Sequence, residues 1–165
     1  MAGKNGRRPD LAVIVDAEGE TSTSAIDWES LRLPVDDIVS LEEGRAKRPV
    51  ESLARTIVVD GDDRLLSRAV TAYQRRHVGR ERPVRFVPLR TGRFHRVATE
   101  LEGPASTARM AKLLADEGVP EHWSEVRRKS LRVTTSARPA PYWGFSLGAG
   151  ALFDLFETVV RADGT

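Results

Sequence analysis

Two short segments of this 165-residue sequence combine glycine with side chains that could bind a phosphate group. The first, residues 56–66, reads TIVVDGDDRLL, so an apolar run ends in aspartates and a glycine before a helical pattern begins. Glycine lets the backbone approach a phosphate, a helix N-terminus offers free N–H groups, and an aspartate there can hold Mg²⁺ or a sugar hydroxyl. An ordinary turn in which Asp62 or Asp63 caps the helix has the same sequence, so both interpretations stay open.

The second segment, residues 86–93, reads FVPLRTGR and also follows an apolar run. It contains Thr91 and Gly92 between two arginines, Arg90 and Arg93. Arginine is the side chain best shaped for paired hydrogen bonds to a phosphate. A loop that needs Gly92 for a positive φ, flanked by solvated arginines, is the simpler alternative.

Runs of strand length that are mostly apolar occur at residues 11–15, 56–59 and 83–87, and the last two lead into the glycines of the two segments. Strands that are apolar on both faces are typical of a parallel sheet covered by helices, so the sequence predicts an α/β fold with a mainly parallel sheet. In such a sheet, the turn after a strand lies at the carboxyl edge, where ligands bind. Residues 124–136 and 142–147 are expected to form a separate antiparallel pair.

Helical spacing of apolar residues predicts the helices that connect these strands. It occurs in five places: near residues 26–31, over 63–79, in a short helix that ends at Leu101, over 108–117 and over 152–160. Ser106 is the expected N-cap of the helix over 108–117, and Gly118 is its expected stop signal.

Charge is unevenly distributed although the net charge is only +2. Residues 10–43 contain ten carboxylates and one arginine, whereas residues 64–96 contain ten arginines and one carboxylate. Residues 127–138 add four arginines and one lysine. These blocks could neutralise each other in the fold, or could form a positive surface for nucleotide phosphates, acidic lipids or nucleic acid. Nucleic acid is disfavoured, because aromatic residues do not interleave with the basic ones.

Composition is that of one ordinary globular domain, with 40% hydrophobic and 30% charged residues. The absence of cysteine excludes disulfides, thiolate catalysis and cysteine-based zinc sites. The sequence identifies no catalytic residue and no metal-ligand spacing. Residues 1–9 are expected to form a disordered basic tail. A cytoplasmic location is expected, with the inner membrane face as an alternative.

Three blocks of sequence, in this order, resemble the catalytic domain of diacylglycerol and sphingosine kinases. Residues 57–65, IVVDGDDRL, stand where that family has Ile-Val-Val followed by Gly-Gly-Asp-Gly-Thr-Leu. Residues 87–93, VPLRTGR, stand where it has Pro-Leu-Gly-Thr-Gly-Asn. Residues 145–150, FSLGAG, followed by Asp154, are similar to the strand and glycine-rich turn that open the family's second domain.

The resemblance implies a three-layer sandwich with a Rossmann-like N-terminal domain of the lipid kinase and NAD kinase type. It places a nucleotide-binding domain at residues 10–147 and, at 148–165, a helix that would lead into a lipid-binding second domain, which we expect to be missing. ATP and Mg²⁺ are the cofactors that an active member would use. The residues expected to bind them are the positions that match the family and the arginines beside them: Gly61, Asp62, Arg64, Arg90, Thr91, Gly92 and Arg93.

Departures from the family pattern favour a relative with degenerate or absent phosphotransfer activity. Asp60, Asp63 and Arg64 replace two glycines and a threonine, and each added carboxylate would repel a triphosphate by about 1–4 kcal/mol. We therefore predict a divergent lipid kinase-like domain that retains an anion- or nucleotide-binding loop region. Two alternatives stay open: an active kinase half completed by another chain, and a basic surface that binds nucleic acid or an acidic membrane. The helix predicted at the C-terminus is a further candidate contact for a protein partner.

Overall fold

The computed structural model describes residues 11–16, 26–38, 54–76, 84–92, 94–101, 106–127, 129–137 and 140–145. The predicted basic tail, Arg93 and the predicted helix over 152–160 lie outside the described residues. None of the helices in the described ranges is long and apolar enough to cross a bilayer.

A parallel sheet of four strands forms the centre of the domain, in the order β2-β1-β3-β4. The strands are β1 (Leu11–Val15), β2 (Val35–Asp37), β3 (Thr56–Asp60) and β4 (Arg85–Pro88). β1 and β3 pair along their whole length and lie in the middle, because their apolar residues are buried on both faces. The prediction of an α/β fold with a mainly parallel sheet is confirmed.

The strand order makes the carboxyl edge of this sheet a natural place for a site. The chain leaves β1 toward β2 on one side and returns to β3 on the other, so the order reverses between β1 and β3. In open α/β sheets, ligands bind outside the carboxyl ends of the strands near such a reversal. The last residue of β1, Val15, pairs with Asp60 on one side and Asp37 on the other, so the three strands end at the same level.

Helices cover both faces of the sheet. α1 (Asp63–Arg76) packs with Ile57 and Val59 of β3 in one buried cluster, whereas Val58 belongs to a second cluster with α3 (Thr107–Glu117). Because successive strand residues face opposite sides, the two clusters lie on opposite faces of the sheet. A shorter helix, α2 (Arg96–Glu100), follows β4.

Capping residues set the ends of α3 as the sequence predicts. The Ser106 hydroxyl accepts a hydrogen bond from Arg109 N at 3.3 Å, which satisfies one of the free donors of the first turn. Gly118 follows the helix with a φ of 78°, a conformation that glycine adopts without steric cost. Both predictions, the Ser106 cap and the Gly118 stop, are confirmed.

A hairpin packs against α1, on the same side of the sheet as Ile57 and Val59. β5 (Leu131–Val133) and β6 (Tyr142–Gly144) pair antiparallel, as predicted, although both strands are shorter than expected. The Thr71 hydroxyl on α1 donates to Trp143 O at 3.0 Å and accepts from Trp143 N at 2.9 Å. One helical side chain therefore provides both partners for a strand residue and fixes the hairpin on the helix.

The region between β1 and β2 differs from the prediction. Residues 28–32 form hydrogen-bonded turns rather than a helix, with Leu31 N donating to Trp28 O at 3.2 Å and a φ of 55° at Arg32. The predicted helix over 26–31 is therefore wrong. The positive φ of Arg32 interrupts helical geometry at this point. β2 was not predicted, because its sequence, VDD, contains a single apolar residue.

Candidate functional site

The two glycine segments meet at the carboxyl edge of the sheet. β3 and β4 are adjacent, with Val59 opposite Pro88, so the turn after β3 and the loop after β4 lie side by side. Gly92 has a φ of 75°, and a Cβ at this position would lie 3.0 Å from Asp62 Cβ and 3.1 Å from Asp62 N. Glycine is required here both by the backbone conformation and by the close approach of the two segments. The structure therefore brings Asp62 and Gly92, two of the predicted site residues, into contact.

The turn after β3, residues 60–63, is named here the acidic loop. Its Asp62 caps α1, because Asp62 Oδ1 accepts a hydrogen bond from Leu65 N at 2.9 Å. Gly61 must remain small, because a Cβ there would overlap the Leu65 side chain. The capping role that the sequence left open is thus the one that Asp62 has in this structure.

Asp63 connects the start of α1 to the start of α2. Its N–H donates to Phe94 O at 2.6 Å, and its carboxylate accepts from Arg96 N at 2.9 Å and Val97 N at 3.1 Å. Burial raises the pKa of Asp63, only partly opposed by the hydrogen bonds from Val97 and Arg96, which lower it. One aspartate therefore holds the chain after Gly92 against the N-terminus of α1.

Asp60, the last residue of β3, is only 5% exposed. Its Oδ2 accepts a hydrogen bond of 2.6 Å from the indole Nε1 of Trp28, which is itself buried in the second cluster. At the end of β1, Asp16 forms an ion pair of 3.1 Å with Arg68 of α1. Each of these carboxylates at the sheet edge therefore already has a donor from the chain itself.

The loop after β4, residues 89–92, is named here the β4 loop and differs from the acidic loop. Two of its polar atoms, Arg90 Nε and Thr91 Oγ1, are buried and have no hydrogen-bond partner within the described ranges. The Arg90 guanidinium also makes a long contact of 3.4 Å, from Nη2 to Thr99 O. On the outer side of the loop, His95 Nδ1 lies 3.2 Å from Gly92 O and donates to it in the tautomer protonated on Nδ1.

Basic side chains from residues 64–96 are partly neutralised within the fold. Arg68 pairs with Asp16, Arg85 with Glu125, and Arg96 with Glu100. Arg75 donates to Pro141 O of the hairpin at 3.0 Å. These contacts favour internal neutralisation over a continuous positive surface. Arg64, a predicted site residue, is exposed on the first turn of α1.

Sequence reasoning named Gly61, Asp62, Arg90, Thr91 and Gly92, and all five lie at the two adjoining loops. It treated Asp60 only as a departure from a family pattern, and it considered Asp63 as a departure or as a helix cap but not as the link to α2. An aspartate at the end of a buried strand was the available signal for Asp60. No local signal could have identified Arg96 and Val97 as the partners of Asp63, because they lie more than thirty residues away along the chain.

Comparisons with known proteins add no identification. No protein-family model matches the chain, and no curated protein or solved structure matches it. Within the described residues, no group of three or more histidine, aspartate and glutamate side chains is arranged to hold a metal ion. Functional inference therefore rests on the geometry of the two loops.

Proposed function

We propose that this chain is a divergent α/β domain of the lipid kinase type that binds a phosphate-containing anion or nucleotide and does not catalyse phosphotransfer. The binding region would be the β4 loop, next to the N-terminus of α1. The Rossmann-like architecture implied by the resemblance is compatible with the strand order and with two glycine loops at one sheet edge.

One observation carries the binding half of this proposal. Arg90 Nε and Thr91 Oγ1 are adjacent in the chain, buried, and without a partner among the residues described. A buried polar atom left without a hydrogen bond costs about 1–3 kcal/mol, so such atoms in a native fold call for an explanation. Arginine and threonine both donate hydrogen bonds, and a phosphate oxygen accepts them. A bound anion would satisfy both atoms at once.

Support for the loss of phosphotransfer comes from the acidic loop. The N–H of Leu65 donates to Asp62 Oδ1, so this donor at the N-terminus of α1 is not free to bind a phosphate. Asp63 adds a second carboxylate beside it, and this side chain is bonded to Arg96 N and Val97 N. A triphosphate docked against this loop would meet negative charge in place of free N–H donors.

The binding half is tested by titration calorimetry of inorganic phosphate and of ATP. We expect both to bind the wild-type protein, and Thr91→Val to weaken binding about tenfold, because a hydrogen bond to a charged group contributes about 1.5–3 kcal/mol. Thr134→Val is the matched control, since Thr134 is exposed beyond the end of β5. An absence of binding to either anion, or equal effects of the two substitutions, would refute the β4 loop as the site.

The catalytic half is tested by phosphate transfer from labelled ATP to diacylglycerol in mixed micelles. We expect no transfer above the rate without protein. Transfer that disappears in Asp62→Ala would support instead an active kinase half completed by self-assembly. Salt-sensitive binding of heparin that competes with neither anion would favour the basic-surface alternative.

A further inference from the structure

The carboxylates at the sheet edge do not fit Mg²⁺, the metal that accompanies ATP in the family that the sequence resembles. Mg²⁺ requires near-octahedral oxygen ligands and is held in nucleotide sites by one or two carboxylates together with substrate phosphates. Each candidate carboxylate here already accepts a hydrogen bond or ion pair from the chain: Asp62 from Leu65 N, Asp63 from Arg96 N and Val97 N, Asp60 from Trp28, and Asp16 from Arg68.

A metal that took the bonded oxygens would break these contacts, and within the described residues no three histidine, aspartate or glutamate side chains are arranged to hold a metal through their remaining atoms. Withdrawal of Asp62 would remove the cap of α1, and withdrawal of Asp63 would release α2 from α1. Asp60 Oδ1 makes no hydrogen bond within the described residues, but the atom is buried and Asp60 is only 5% exposed, beneath the surface that a hydrated cation would reach. The acidic loop is therefore committed to holding the fold.

The charges around the β4 loop limit the size of the anion. The adjoining acidic loop carries three carboxylates, Asp60, Asp62 and Asp63, and nearby Arg96 is already paired with Glu100. Without a metal to offset its charge, a triphosphate would add several negative charges beside these carboxylates. A single phosphoryl group needs no more than the donors of Arg90 and Thr91.

We infer that the β4 loop binds a single phosphoryl group without a divalent cation. This inference rests on the proposed function, because it names the ligand class of the same site. The group could belong to free phosphate or to a phosphorylated headgroup such as glycerol 3-phosphate, since both present the same oxygens to Arg90 and Thr91.

The first test is calorimetry of the full chain with inorganic phosphate, glycerol 3-phosphate and ATP, each with Mg²⁺ and with EDTA. We expect the Kd of both monophosphates to be the same under the two conditions, and ATP to bind no more tightly than phosphate. If glycerol 3-phosphate binds more tightly than inorganic phosphate, the ligand is a phosphorylated headgroup. If the two bind equally, the site recognises the phosphate group alone. A tenfold or greater gain in affinity with Mg²⁺ would overturn this inference while preserving the proposed function; no binding at all would overturn both.

The second test uses Asp62→Asn, which keeps the Oδ1 acceptor for Leu65 N and removes the charge. If Asp62 is only a cap beside the anion, its neutralisation should tighten phosphate binding about fivefold, the factor for one unit charge removed at about 4 Å in water. If Asp62 is a metal ligand, the same substitution should weaken binding, and only in the presence of Mg²⁺. Asp116→Asn, on the exposed side of α3, controls for the change in net charge.

Discussion

The acidic loop and the β4 loop follow neighbouring strands and touch at Gly92, yet they differ in how their polar groups are paired. In the acidic loop, each carboxylate accepts at least one bond, Asp60 from Trp28, Asp62 from Leu65 N and Asp63 from the first residues of α2, although Asp60 Oδ1 makes no hydrogen bond within the described residues. In the β4 loop, Arg90 Nε and Thr91 Oγ1 are buried without a partner within the described part of the chain.

This difference indicates which loop is structural and which is available to a ligand. A carboxylate that accepts a hydrogen bond from the chain stabilises the fold, and its removal leaves that donor unpaired. A buried polar group without a partner destabilises the fold, and a ligand that pairs with it recovers that cost. Substitutions that remove these polar groups should therefore change stability in opposite directions in the two loops.

The largest effect is expected from Trp28→Phe, which removes the donor to Asp60. The ring remains apolar and the Asp60 carboxylate loses its bond to the indole, so we expect the free energy of unfolding to fall by about 3 kcal/mol in urea denaturation. Trp123→Phe is the control, because Trp123 packs against the same cluster from a partly buried position. Equal losses in the two variants would show that the Trp28–Asp60 bond does not stabilise the acidic loop.

Gly92→Ala tests the contact between the two loops. The left-handed conformation costs alanine about 1–2 kcal/mol, and its Cβ would lie 3.0 Å from Asp62 Cβ, so we expect a loss of about 2 kcal/mol. Anion affinity should fall as well, because the β4 loop must move. Gly118→Ala, at a positive φ outside both loops, should lower stability and leave affinity unchanged. A Gly92→Ala variant with wild-type affinity would argue against a site at this contact.

Local signals in the sequence were sufficient for much of the fold. The apolar runs of β1 and β3 define buried parallel strands, and Ser106 and Gly118 mark the ends of α3, because strand burial and helix capping depend on residues close in the chain. β2 escaped prediction, because Val35 is the only apolar residue of this edge strand.

The candidate site was only half predictable for the same reason. Glycines between a strand and a helix indicated the positions of both loops. The partners of the acidic loop could not be predicted, since the Trp28–Asp60 bond spans 32 residues and the Asp63–Arg96 bond spans 33. Whether Asp63 repels a ligand or holds a neighbouring helix is decided by such distant partners.

Thr91→Val should have the opposite sign to substitutions in the acidic loop. Valine has nearly the shape of threonine and removes a buried hydroxyl without a partner, so we expect a gain of about 1 kcal/mol without ligand. Asp62→Ala should instead cost about 1 kcal/mol through the lost cap. Urea denaturation of the two variants, with and without phosphate, measures both signs. If Thr91→Val loses stability without ligand, its hydroxyl has a partner in solution and the contrast between the loops disappears.

The smallest effect is expected from Asp63→Asn, and it depends on pH. Because burial raises the pKa of Asp63 above its ordinary value, the folded chain binds a proton to this residue more readily than the unfolded chain does. Wild-type stability should therefore fall, relative to Asp63→Asn, as pH rises from below the ordinary aspartate range through the raised pKa, and then remain level. Urea denaturation of both proteins across a pH series measures this difference, and the other titrating groups cancel in it. If the wild type instead gains relative stability as pH rises, the bonds from Arg96 N and Val97 N outweigh burial, and the acidic loop is held by its charge as well as by its hydrogen bonds.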